Sequence, residues 1–259
     1  YAMFVAALAV FLPYVFLLQS AFAKAWGRGF AWDNISLQNF RFVLFEHATA
    51  AKSVLNSFLY AGASATVAVF LTLGIAYIVA RKLVPFGGVL GFLCVAPFVI
   101  PGVVLAIGFY AAYAPPPLSL YGTALILILA FTTRFLPVGY VNASAAIRSV
   151  NPEMEEAVRF LGGSRLTALR RVVPPLLKRN LLGAWLLFFI PATRELSAAI
   201  FLYGPNTKVA SVMIFDMSEE GNFERLAALA LILQVLTLPL LWVGQKALGR
   251  DFMLRRNAT

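Results

Sequence analysis

The chain has 259 residues, of which 61% are hydrophobic and only 12% charged, with a mean hydropathy of +0.84 and a net charge of +10. This is too apolar for an ordinary soluble domain and argues against a soluble enzyme. The basic excess, 21 Lys+Arg against 11 Asp+Glu, fits nucleic-acid binding, an anionic lipid surface or positively charged cytoplasmic loops, and its placement decides among them.

Six apolar runs follow one another at residues 2–22, 54–80, 89–113, 123–143, 181–203 and 226–248. Each reaches the roughly 20 residues that cross a bilayer as a helix. The runs lack the alternation of barrel strands, so the expected fold is all-α: a polytopic membrane protein of six transmembrane helices in a single domain over residues 1–259. Prolines lie in every run except the second: Pro13, Pro97 and Pro101, Pro137, Pro191 and Pro239. Each removes a backbone donor and favours a kink. Neither Met nor a basic segment precedes the first run, so no signal peptide is expected. The Tyr1 start fits either a chain boundary or the second half of a longer two-domain chain.

Thirteen of the 21 basic residues fall in loops on one side of these runs, six fall on the other side, and Arg134 and Arg194 lie within runs. The positive-inside rule makes the thirteen-charge side cytoplasmic and places both chain ends there. The charge excess is then mainly topology, and no soluble domain of useful size remains for nucleic acid. The one cysteine, Cys94, and one histidine, His47, give no disulfide and no recognisable metal motif.

The longest cytoplasmic loop, residues 148–179, is punctuated as two short helices. Asn151 is placed to cap the first, with Pro152 at its first position and Glu153, Glu155 and Glu156 near the positive end of its dipole. Met154, Ala157, Val158 and Leu161 repeat at helical spacing, and Gly162 and Gly163 suit its termination. Ser164 is placed to cap a second helix bearing Leu166, Leu169 and Val173, with Arg170 and Arg171 near its end and Pro174 and Pro175 expected to stop it. A rigid, partly apolar surface hairpin of this kind suits a groove on another protein.

This stretch resembles the EAA loop of permease subunits of binding-protein-dependent ABC importers. Glu156, Ala157 and Val158 stand at its E-A-A, Gly162 at its glycine, Val172 at its isoleucine, and Pro174 and Pro175 at its closing Leu-Pro. Pro174 is the least conservative departure, and the spacing is intact. The resemblance extends over residues 54–248 and implies the type I importer permease fold. It further implies two ATP-binding partner subunits docked on the hairpin, a second permease domain and a periplasmic binding protein. Glu155, Glu156, Ala157, Gly162, Gly163, Arg170 and Pro175 would form the ATPase-coupling set. The chain has no GxxxxGK[ST] motif, so no cofactor is expected on it, and ATP and Mg would bind the partner.

Ionisable groups in spans are costly, on the order of 3 kcal/mol each on insertion scales. Arg134 and Glu195 are expected at depths of about 17 Å and about 12 Å, close enough for an ion pair that fixes helix packing, the alternative being that Arg134 or Arg194 lines the path of the solute. Arg194 is then the better candidate to line a solute path, for an anionic solute or complex. Residues 194–205 and 209–230 are similar to ferric-iron importer permeases; permeases for 2-aminoethylphosphonate, polyamines, thiamine and sulfate are related alternatives. The acidic residues Asp216, Glu219, Glu220 and Glu224 are expected on an outer loop. A stand-alone channel or secondary transporter is the rival class, and it would have no coupling loop. A bacterial inner-membrane, non-catalytic importer subunit is the resulting expectation.

Overall fold

The computed structural model describes residues 2–164, 167, 169 and 171–248. Five of its helices are long and apolar enough to cross a membrane: span 1 (Met3–Phe22), span 2 (Ala48–Ala80), span 4 (Ala124–Arg148), span 5 (Val173–Ala192) and span 6 (Phe223–Lys246). The third apolar run is not one straight helix. It divides into Gly87–Phe98 and Gly102–Tyr113, bent by 114°. Pro97 and Pro101 cannot donate backbone bonds, and Pro101 takes an extended backbone (ψ 140°) that ends the first half. The kink expected at these prolines is a full corner.

The two halves still make one net crossing. Span 2 and span 4 run in the same direction: Ser64 bonds Ile128, Thr72 meets Gly139, and Tyr77 packs with Ala143 and Ile147. Two parallel neighbours require an odd number of crossings between them. The broken pair supplies it, passing from Val79 at Gly87, by Tyr140 at Gly91, to Arg134 at Gly102.

Spans 2, 4 and 5 form the centre of the molecule. They approach closely because span 2 buries a small-residue stripe, Ala61, Ser64, Ala65, Ala68, Thr72 and Ala76, at spacings of three and four. Phe188 and Phe189 of span 5 fill against its alanines. Span 1 packs on span 6 at one flank, and a π-helical turn at Ala7–Phe11 precedes Pro13. Phe70, Phe92, Phe98, Val235 and Trp242 are exposed, as a lipid-facing surface requires.

Span 5 differs most from expectation. Pro174 and Pro175 do not stop the second hairpin helix; they begin span 5, in the first turn where a missing N–H costs nothing. Its regular helix ends at Ala192, so Arg194 and Glu195 lie in the turn that follows rather than inside a helix. The segment expected as an acidic outer loop also differs. Ala210–Glu219 is a helix that buries Val212, Met213 and Met217, and Asp216 pairs with Lys208 at 2.6 Å.

Candidate functional site

The loop at residues 148–179 begins with the expected cap. Asn151 Oδ1 accepts the Glu153 N–H at 3.0 Å, and Pro152 opens the helix Pro152–Phe160. The helix closes with the Gly163 N–H on the Val158 carbonyl at 2.9 Å and the Gly162 N–H on Arg159 at 3.0 Å. This reciprocal pair requires a left-handed residue between helix and exit, and Gly162 has φ +84°. Ser164 Oγ then accepts the Thr167 N–H at 3.1 Å, the expected second cap. Arg165, Leu166, Ala168 and Arg170 lie outside the described residues, so the placement of Arg170 in the coupling set is not described.

The helix has two unlike faces. Glu155 is 7% exposed and turns inward, away from the solvent that surrounds Glu153 and Glu156. Its Oε1 accepts from Arg81 Nε at 3.0 Å and from the second guanidinium nitrogen at 2.6 Å, and its Oε2 accepts from the Tyr77 hydroxyl at 2.7 Å. Arg81 also donates to the Val150 carbonyl at 3.0 Å. Both carboxylate oxygens and two of the three guanidinium nitrogens of the pair are thereby hydrogen-bonded, which a buried ion pair needs. The opposite face is open: Phe160 is 91% and Leu161 90% exposed, with Met154 and Ala157 beside them. Pro175 is exposed at the start of span 5.

Sequence reasoning missed Tyr77 and Arg81. Arg81 counted only as a loop charge, and nothing in the spacing marks its partner 74 residues away. The acidic first turn of the helix was the one available signal.

A second group of polar residues meets at the corner of the broken pair. Arg134 donates to the Ile100 carbonyl at 2.8 Å, at a helix end that leaves carbonyls without intrahelical donors. Glu195 Oε1 accepts the Ala198 N–H at 3.0 Å, and its backbone carbonyl accepts the Ser211 hydroxyl at 2.8 Å. The expected Arg134–Glu195 ion pair is not among the ion pairs of the described residues. Each group has instead satisfied a backbone atom exposed by a helix break. They remain neighbours across Gly102, where an added Cβ would lie 2.8 Å from Ser197 Cβ, 3.4 Å from Glu195 Oε1 and 3.5 Å from Arg134 Nε.

Arg194 is exposed, and its guanidinium makes no hydrogen bond or ion pair among the described residues. It lines a cavity of about 440 Å³ with Ser211, Thr237, and Tyr14 and Gln234, which bond each other at 2.5 Å. Arg194 and Arg134 thus have different surroundings, one free at a cavity and the other bound to backbone.

Residues 72–246 match the family of binding-protein-dependent transport system inner membrane components, and the chain belongs to that family. It is 31% identical over 215 residues to the ferric transport system permease protein FbpB of Actinobacillus pleuropneumoniae, a match covering 82% of this chain and 31% of that protein. The chain therefore spans about a third of the length of that relative. It is 28% identical over 251 residues to the spermidine/putrescine transport system permease protein PotC of Haemophilus influenzae, covering 94% of this chain and 93% of that one. Its fold is similar to that of a bacterial ABC transporter involved in the import of the acidic polysaccharide alginate. That match has a TM-score of 0.77 at 16% identity and covers 97% of this chain and 93% of the other. The all-α importer-permease fold expected from the sequence is therefore the fold observed.

Proposed function

We propose that this chain is a permease half of an ATP-driven importer, forming part of the solute path and coupling ATP hydrolysis by partner subunits to uptake. The observation that carries this reading is the two-faced helix Pro152–Phe160, clamped by Glu155 on one side and presenting Met154, Ala157, Phe160 and Leu161 on the other. An apolar helix face at a protein's edge suits a groove on a partner. The ATP-binding subunits would occupy it, with ATP and Mg held there and no catalysis by this chain. A second permease domain and a periplasmic binding protein would complete the assembly. The charge asymmetry of the loops supports a cytoplasmic location for this helix and for both ends of the chain.

Ferric iron is the proposed substrate, supported by the similarity to the ferric permease. The similarity to a polyamine permease offers a second reading. The Arg194 guanidinium, which has no partner among the described residues, favours a solute that carries negative groups, including a ferric complex with anionic ligands, and opposes a polycation. Reconstitution tests the function: uptake is expected only with the ATPase partner and ATP. Uptake into liposomes by this chain without an ATPase would refute it. Identifying the solute held by the purified cognate binding protein tests the substrate.

A further inference from the structure

Resting on the importer reading above, we infer that span 2 is the rod that carries movement of the coupling helix across the membrane. Arg81 and Tyr77 act as positioning residues through Glu155. The covalent joints of the hairpin are poorly suited to this task. Ser149–Asn151 interrupts the path from span 4, and a turn at Val172 interrupts the path to span 5. Those two spans also contain Pro137 and Pro191, so a push along either meets a helix with missing backbone bonds.

Span 2 has the opposite construction. It is an unbroken helix of 33 residues, about 50 Å long, and its apolar run is the one of the six without proline. At the coupling end it is fixed to Glu155 and to the Val150 carbonyl by Tyr77 and Arg81. At the far end Asn56 Nδ2 donates to the carbonyls of Lys208 at 2.9 Å and Asn206 at 3.2 Å, and Ser57 Oγ accepts the Ala210 N–H at 2.8 Å. The next residue, Ser211, bonds the Glu195 carbonyl and lines the Arg194 cavity. A continuous set of hydrogen bonds and one rigid helix therefore joins the ATPase-facing helix to the cavity about 30 Å away, the rise of the 21 residues between Asn56 and Tyr77.

The test uses the full chain assembled with its ATPase and binding-protein partners in liposomes, reading solute imported per ATP hydrolysed. Arg81→Gln is expected to lower that ratio about fivefold while the ATPase still co-purifies. The exchange of Arg81→Glu with Glu155→Arg is expected to recover at least half of the loss in solute imported per ATP, a ratio that a merely structural role would leave unmoved in the assembled complex. Asn56→Ala, which leaves the clamp untouched, is expected to uncouple as well. It decides the matter should Arg81→Gln fail to insert. A wild-type ratio in Arg81→Gln or in Asn56→Ala would overturn the rod. The importer reading fails separately, if the wild-type assembly imports solute without ATP.

Discussion

Beside the helix Pro152–Phe160, Arg81 and the buried Glu155 are paired, and both carboxylate oxygens are used within the chain. At the corner of the broken pair, Arg134 and Glu195 are close but each serves backbone, and Arg194 beside them has no partner among the described residues. The difference separates two uses of charge in an apolar protein. A buried pair that satisfies itself holds two elements at a fixed distance and carries force between them. An ionisable group left free at a cavity is available to something that passes.

Breaking the paired side is expected to have the largest effect on the fold. Glu155→Ala leaves the Arg81 guanidinium, 15% exposed, without its counter-charge. Removing one member of a buried pair costs about 3 kcal/mol. The expected result is a lower thermal midpoint and rapid hydrogen exchange over residues 152–160, while the far side stays protected. Unchanged exchange there would show that Glu155 does not hold the helix.

Gly102→Val probes the corner. Its side chain would press on Ser197, Arg134 and Glu195 together, and overpacking of this kind costs about 1–3 kcal/mol. Uptake is expected to be lost with membrane insertion retained, because the two halves of the broken pair can no longer meet the turn after span 5. Wild-type uptake would mean that the corner opens freely during transport and that its close approach has no role.

Gly162→Val tests the exit of the helix Pro152–Phe160 and the coupling role proposed for it. At φ +84° a β-branched residue is strained by about 1–2 kcal/mol, although no atom of the described residues lies within 4 Å of the added Cβ. The strain is relieved by unwinding the last turn, which carries Phe160 and Leu161. ATP hydrolysis is expected to continue while uptake falls several-fold, measured as solute imported per ATP; normal coupling would refute the role of this turn.

The parts legible in the sequence were those set by local chemistry. Asn151, Pro152, Gly162 and Ser164 marked the hairpin because caps and left-handed turns depend on residues within one helical turn. Length and apolarity likewise located the spans. The fifth was shifted because Pro174 and Pro175 stop a helix or start one equally well, and packing of Val173 and Leu177 against span 2 decided for a start. The partners of Glu155 and Glu195 were not legible. Partner choice for a carboxylate depends on which helices become neighbours, and the expected Arg134–Glu195 pair followed depth alone. Once the broken helix exposed the Ile100 carbonyl, Arg134 had a nearer acceptor.

Arg194→Ala should have the smallest effect on stability and the most informative effect on transport. With no bond to lose among the described residues, the substitution is expected to change stability by no more than about 0.5 kcal/mol. Uptake of a solute bearing negative groups is expected to fall about tenfold, equivalent to about 1.4 kcal/mol of lost interaction. Arg194→Lys keeps the charge but loses the planar fork, and should recover part of the uptake if simple attraction suffices. A paired arginine would give the reverse pattern, with stability falling and uptake following it. Unchanged uptake at unchanged stability would remove Arg194 from the path and leave the cavity as a crevice between span 6, the end of span 5 and the helix Ala210–Glu219.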